Sequence, residues 1–134
     1  EWLHFETTFS SVTGKKENGE YLPFIPANKL QSELRFEKEK IGFFKETFLK
    51  ISSETSFAQN NPAPDEEKTG AYTLFDIGIG GNVKASNQFI SFGISVNNVF
   101  DKKYLDHLST LKEVGYFNPG RNITFSLKVP FGIK

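Results

Sequence analysis

Cysteine and methionine are both missing from this 134-residue chain. Without thiols there is no disulfide, no thiolate nucleophile and no zinc site built on cysteine. Net charge is missing too. The 16 basic side chains balance 16 acidic ones, which leaves no basic field for nucleic acid and no acidic field for a basic partner. No apolar run reaches the roughly 18 residues of a membrane-crossing helix, and no basic stretch followed by an apolar one opens the chain as a secretory leader would. Tryptophan occurs once, whereas phenylalanine occurs 15 times, and aromatic side chains fit a pleated surface well. The length suits one ordinary domain. Yet Glu1-Trp2-Leu3-His4-Phe5 is already strand-like, as expected of a fragment that begins mid-fold.

Alternation is the main signal. Ile123, Phe125, Leu127, Val129 and Phe131 take one face of a segment, and Asn122, Thr124, Ser126 and Lys128 take the other. A period of two makes a strand with one apolar and one polar side. The pattern recurs in Ile90 to Asn97, Leu30 to Glu37, Leu3 to Ser10 and Phe75 to Gly80. Around residues 42–53 either register puts a charge among aromatics. The reading preferred is Phe43, Lys45, Thr47, Leu49 and Ile51 on the apolar side, because a lipid-facing Lys costs only about 0–1 kcal/mol near a strand end. Six strands are therefore expected at 1–12, 29–37, 42–53, 71–83, 88–100 and 120–130. Most run to about 9–13 residues, beyond the usual soluble strand and close to the length a tilted strand needs to cross a bilayer.

The connections alternate in length. Lys38 to Ile41 and Lys84 to Asn87 read as tight turns. Thr13 to Asn28, Glu54 to Gly70 and Asp101 to Pro119 read as long loops. In an up-and-down meander this puts every tight turn at one end and every long loop at the other, the asymmetry of outer-membrane barrels. Long loops in compact folds are uncommon unless functional. In the third, Leu105, Leu108 and Leu111 recur every three residues, which predicts a short helical piece stopped near Gly115.

Val96-Asn97-Asn98-Val99-Phe100-Asp101-Lys102-Lys103-Tyr104 resembles the penultimate-strand signature of TonB-dependent receptors. Asn118-Pro119-Gly120-Arg121-Asn122-Ile123, running on to Val129-Pro130-Phe131, resembles their last strand. Leu105 to Ser109 and Leu22 to Ala27 are also similar to segments of that family. Pro119-Gly120 is expected to turn into the last strand, with Gly120 at positive φ, and the asparagines after Val96 to hydrogen-bond backbone.

The resemblance implies an all-β fold: residues 1–134 as the C-terminal portion of an antiparallel up-and-down transmembrane β-barrel. Such barrels have about 22 strands and a plugged lumen, and here the plug domain and earlier strands are absent. It further implies the outer membrane of a Gram-negative bacterium and uptake of an iron chelate, haem, another metal complex or cobalamin, driven by TonB. TonB would act through absent parts of the chain. The other partners implied are the plug, the barrel assembly machinery, outer-membrane lipid and an unidentified imported ligand. Nucleic acid, cofactor and enzymatic activity are not expected. Phe125, Leu127, Val129 and Phe131 match the family's C-terminal assembly signal, although Gly132-Ile133-Lys134 run past the usual aromatic terminus. With roughly ten backbone groups unpaired on an open edge, at several kcal/mol each in lipid, the 134 residues alone are expected to be insoluble or misfolded.

Candidate sites are few. Asp106, His107 and Tyr116 lie in the third loop, where a ligand would meet a receptor of this family. Glu33, Arg35, Asp76 and Lys128 occupy polar strand faces and would line a lumen, as would His4. Asp65-Glu66-Glu67 reads as a solvated acidic loop tip, and Gly78-Ile79-Gly80-Gly81 as small residues leaving room for plug or solvent. Nothing forms a catalytic site, since no nucleophile–base arrangement is present. Nothing forms a metal site either, since the two histidines are isolated. Two rival readings remain: a soluble lipid-binding β-barrel, which alternation alone does not separate from a membrane barrel, and a passive porin-like channel.

Overall fold

The alternating segments form six strands of one antiparallel sheet in a computed structural model that describes residues 2–86 and 88–130. They are β1 (Leu3–Ser10), β2 (Lys29–Ile41), β3 (Phe44–Ser56), β4 (Tyr72–Ala85), β5 (Gln88–Asn97) and β6 (Asn122–Lys128). Each strand pairs with the next, and the order is β1-β2-β3-β4-β5-β6. The sheet is up-and-down and it is not closed: β1 and β6 each have a single neighbour.

Register turns the sequence alternation into two chemically distinct faces. Leu3, Phe36, Leu49, Ile79, Ile94 and Phe125 stand side by side, one from each strand. The next row on that face is Phe5, Leu34, Ile51, Ile77, Val96 and Ile123. Between these rows, on the opposite face, lie His4, Arg35, Lys50, Gly78, Ser95 and Thr124. Among the described residues nothing covers the apolar face: Phe5 is 65% exposed, Phe125 75% and Leu127 72%. Along β4 it runs from Phe75 to Val83. About eight steps of roughly 3.3 Å make about 26 Å along the strand. Towards the loops it gives way to a mixed belt. There Thr7 bonds Ser32 at 3.0 Å and Thr55 bonds Thr73 at 3.0 Å, among Phe9, Leu30 and Phe75.

The tight turns are tighter than the sequence suggests. Lys38 to Ile41 belong to β2, because Lys38 pairs with Thr47, Lys40 with Lys45 and Ile41 with Phe44. The turn is Gly42-Phe43, with Gly42 at φ +60°, a conformation that two-residue hairpins need and glycine adopts freely. Likewise Lys84 and Ala85 stay in β4, and the turn follows Ala85, with Ser86 at φ +54°. At the other end β1, β5 and β6 stop short of the expected bounds, so the loops are residues 11–28 (L1), 57–71 (L2) and 98–121 (L3).

The ambiguous stretch of β3 resolves through a bulge. The register against β4 shifts between Lys45 and Phe48, and Glu46 sits at φ +47°. One extra residue swaps the faces of everything before it. Phe44 therefore joins Val83 on the apolar side while Leu49 and Ile51 also keep it. The expectation held for Leu49 and Ile51 and failed for Phe43 and Lys45. Lys45 pairs with Asn82 on the polar side, its ammonium 5.2 Å from the Phe89 ring centre.

Two glycine readings also change. Gly80 does not leave free space: a Cβ there would lie 2.7 Å from the Phe48 ring and from the Phe92 carbonyl oxygen. It is small because Phe48, clamped from above by the Arg35 guanidinium at 4.1 Å, lies across it. Gly120 does not adopt positive φ. Its missing side chain admits the Asp101 carboxylate, 2.5 Å from where a Cβ would be, which accepts the Arg121 N–H at 2.8 Å. The helical piece of L3 is a 3₁₀ turn, Thr110–Val114, capped by Ser109 and ended by Gly115 at φ +75°. Only Leu111 of the three spaced leucines lies in it; Leu105 and Leu108 precede it.

Candidate functional site

The most buried part of the chain is its loop end. Ala27, Ser56, Gln59, Ala63, Thr69, Tyr72, Asn98 and His107 are all buried, and every one lies in a loop or at the strand end feeding one. Loops without a core would flutter, and these three are joined by polar contacts that cross from one to the next.

Asp106 is the first junction. Its Oδ2 accepts the Tyr72 hydroxyl at 2.7 Å and the Lys29 ammonium at 3.0 Å, and its Oδ1 accepts the Leu108 N–H at 3.0 Å. The Asp106 N–H donates to Asn118 Oδ1 at 3.0 Å, and Lys29 also reaches Glu54 at 3.2 Å. One carboxylate thus ties L3 to the starts of β2 and β4, and through Lys29 to the end of β3. Burial pushes its pKa up, but the Tyr72 hydroxyl, Lys29 and the Leu108 N–H outweigh that and hold it below the ordinary aspartate value. The rings of Tyr72 and Tyr104, centres 4.6 Å apart and tilted by 42°, close the same junction.

Glu66 is the second. Its Oε1 accepts the N–H of Phe24 in L1 at 2.9 Å, and its Oε2 accepts the N–H of Ala63 in L2 at 3.1 Å. The same Oε2 lies 3.8 Å from Nε2 of His107 in L3. A single carboxylate meets all three loops. Its pKa is lowered chiefly by the Phe24 N–H, against burial, with help from Ala63, His107 and Lys112. Glu66 is therefore not the solvated tip that its acidic neighbours suggest. His107 is 4% exposed; its Nδ1 is 3.1 Å from Thr69 Oγ1, and its Nε2 has no hydrogen-bond partner among the described residues. Burial and the nearby Lys112 ammonium depress its pKa, outweighing Glu66 and Asp106, so the imidazole is neutral at pH 7.

A third junction ends β5. Asn98, at φ +51°, accepts the Lys102 N–H at 2.8 Å and donates to the Lys102 carbonyl at 2.9 Å, as expected of an asparagine at a strand exit. Its own N–H donates to Asp76 Oδ1 at 2.8 Å. Gln59 completes the loop core by donating to the carbonyls of Ile25 and Pro26 at 3.1 and 3.3 Å.

The sequence candidates separate accordingly. Asp106 and His107 come together, although as neighbours they serve different junctions, and Tyr116 stays outside, 68% exposed. Glu33, Arg35 and Asp76 share the polar face of the central strands, where Glu33 pairs with Lys50 at 3.2 Å and Arg35 with Glu37 at 2.6 Å. His4 joins them, 3.6 Å from Glu37. Lys128 lies on that face too, but at the turn end opposite Ser91. Of the C-terminal alternation, Phe125 and Leu127 lie exposed on the apolar face and Val129 follows β6; Phe131 lies outside the described residues. Among the described residues no three carboxylate or imidazole groups converge to hold a metal ion. No helix is long and apolar enough to cross a membrane, which says nothing of strands. Sequence reasoning did not find Lys29, Tyr72, Gln59 or Thr69. Each is an ordinary polar residue whose role exists only once the loops meet.

Comparison of the chain with protein-family profiles, with curated proteins and with solved structures gives no match.

Proposed function

We propose that this chain forms part of the wall and the ligand-facing loops of an outer-membrane transport receptor, a larger barrel of the TonB-dependent kind. The observation that carries the reading is the bare apolar face. A sheet with contiguous rows of exposed Phe, Leu and Ile on one side, the kind of apolar surface that marks a membrane or partner contact, suits the lipid side of a membrane barrel. The opposite face, with its Glu33–Lys50 and Arg35–Glu37 pairs, suits a wet interior. The two sheet edges suit pairing with further strands, because unpaired backbone is costly in lipid.

The loop end supports a receptor more than a passive pore. Three loops fastened through Glu66 and Asp106 make an ordered surface, and ordered surfaces bind with less entropic cost than mobile ones. Uptake powered by TonB, a plug within the barrel, and an iron chelate, haem, metal complex or cobalamin as cargo follow from the family resemblance. The chain contributes no catalytic group to this function.

Topology tests the reading. In Gram-negative cells carrying the full chain, Asn18→Cys in L1 should react with a membrane-impermeant maleimide on intact cells. Ser86→Cys in the β4–β5 turn should react only after the outer membrane is permeabilised. Equal labelling of both, or recovery of the chain in the soluble fraction, would overturn it.

A further inference from the structure

At its turn end the apolar face is not flat. An open groove of about 860 Å³ runs there between two aromatic walls. Trp2 and Phe36, with ring centres 6.3 Å apart, form one wall, and Phe44 and Phe92, 5.2 Å apart, form the other. Leu49 and Ile79 lie between them. Thr47, beside the bulge at Glu46, lines the groove as well. Phe36 to Ile41 spans about five residue steps, or roughly 17 Å, which is close to one leaflet's half of a hydrocarbon core about 30 Å thick.

One cation stands on this groove. Lys38 lines it and has no ion-pair partner among the described residues. The acid beside it, Glu37, is engaged by Arg35 at 2.6 Å and by His4 at 3.6 Å. Of the other acids nearby, Glu46 is bonded by Asn82 and Glu39 lies outside the groove lining.

We infer that this groove is a binding site for one anionic glycerophospholipid of the turn-side leaflet, its acyl chain between the aromatic walls and its phosphate at Lys38. The inference rests on the membrane reading above and names a partner for the apolar face. Neutral lipid would fill the same trough but leave Lys38 without a counter-charge. A juxtamembrane cation favours anionic lipid by about fivefold, so the site selects by headgroup while the walls select for a chain.

Trp2, the single tryptophan, lines the groove and reports on it directly. The chain within its complete barrel, with any tryptophan outside these residues replaced so that Trp2 alone reports, is reconstituted in phosphatidylcholine vesicles doped with phosphatidylglycerol or phosphatidylcholine carrying brominated acyl chains, which quench tryptophan on contact. Brominated phosphatidylglycerol should quench Trp2 about fivefold more effectively per lipid. Lys38→Gln should bring the two lipids level, Lys38→Arg should keep the preference, and high salt should weaken it. Equal quenching in the wild type, or a preference that survives Lys38→Gln, would overturn the lipid site while leaving the membrane reading intact. No quenching by either lipid would overturn both.

Discussion

Removing the Asp106 carboxylate should release L3 from the sheet without unfolding the strands. In Asp106→Ala, the Tyr72 hydroxyl, the Lys29 ammonium and the Leu108 N–H each lose an acceptor at 2.7–3.0 Å. A hydrogen bond to a charged group contributes about 1.5–3 kcal/mol. Two of the three donors can recover water or a second partner, since the Asp106 side chain is 23% exposed and Lys29 keeps Glu54. The net loss is then about 2–3 kcal/mol, which corresponds to roughly 30- to 150-fold faster opening of the loop. Amide hydrogen exchange of the chain within its reconstituted complete barrel reads this residue by residue. Ser109, Lys112 and Tyr116, whose N–H groups bond within L3, should exchange faster by that factor, and the amides of β3 and β4 should not change. Asp106→Asn, which keeps an oxygen for Tyr72, should cost less than half as much. Unchanged exchange in L3, or equal acceleration in the strands, would refute the claim that one carboxylate fastens this loop to the sheet.

Two further perturbations follow from the geometry. The loop junctions should loosen in acid in two steps. His107 has a lowered pKa when folded, so the folded loops resist its protonation, and their stability falls as pH drops below about 6.5. Glu66 and Asp106, also lowered, contribute stability that is present above about pH 4 and lost as pH falls through their folded values. Loop amide exchange followed against pH should show both steps, and His107→Gln should erase only the upper one. In the sheet, Gly80→Ala should cost about 1–3 kcal/mol in a urea titration, because the added methyl meets the Phe92 carbonyl oxygen at 2.7 Å, a backbone atom that cannot turn aside. Gly78→Ala, with its nearest neighbours at 3.8 Å, should be close to neutral; equal costs at the two glycines would show that Phe48 is not seated as described.

The strands were legible because their signal is local. Ile123 to Val129 alternate with polar residues, and that alone places six rows of side chains once the strands pair in sequence order. The long–short rhythm of the connections was legible for the same reason. Three features were hidden. The bulge at Glu46 leaves no mark beyond an ambiguous register, since Phe43, Phe44 and Phe48 suit either face. Gly80 and Gly120 look like spacing or turn residues, and only the approach of Phe48 and Asp101 shows that they are contact residues. The loop core was illegible: Glu66 reads as one more acid in Asp65-Glu66-Glu67 until Phe24 and His107 arrive from other loops.

The proposed membrane role turns on whether the apolar side of the pleat meets hydrocarbon, and these cysteine-free residues let that be measured one position at a time in the complete barrel. Phe92, Ile94, Phe125 and Leu127 would each be replaced by cysteine and spin-labelled in vesicles, as would Ser91, Ser95, Thr124 and Ser126. Collision rates with oxygen and with a water-soluble nickel chelate then report lipid or water at each site. The first four should collide readily with oxygen and the second four with nickel, alternating residue by residue along β5 and β6. The opposite alternation, or none, would contradict the account.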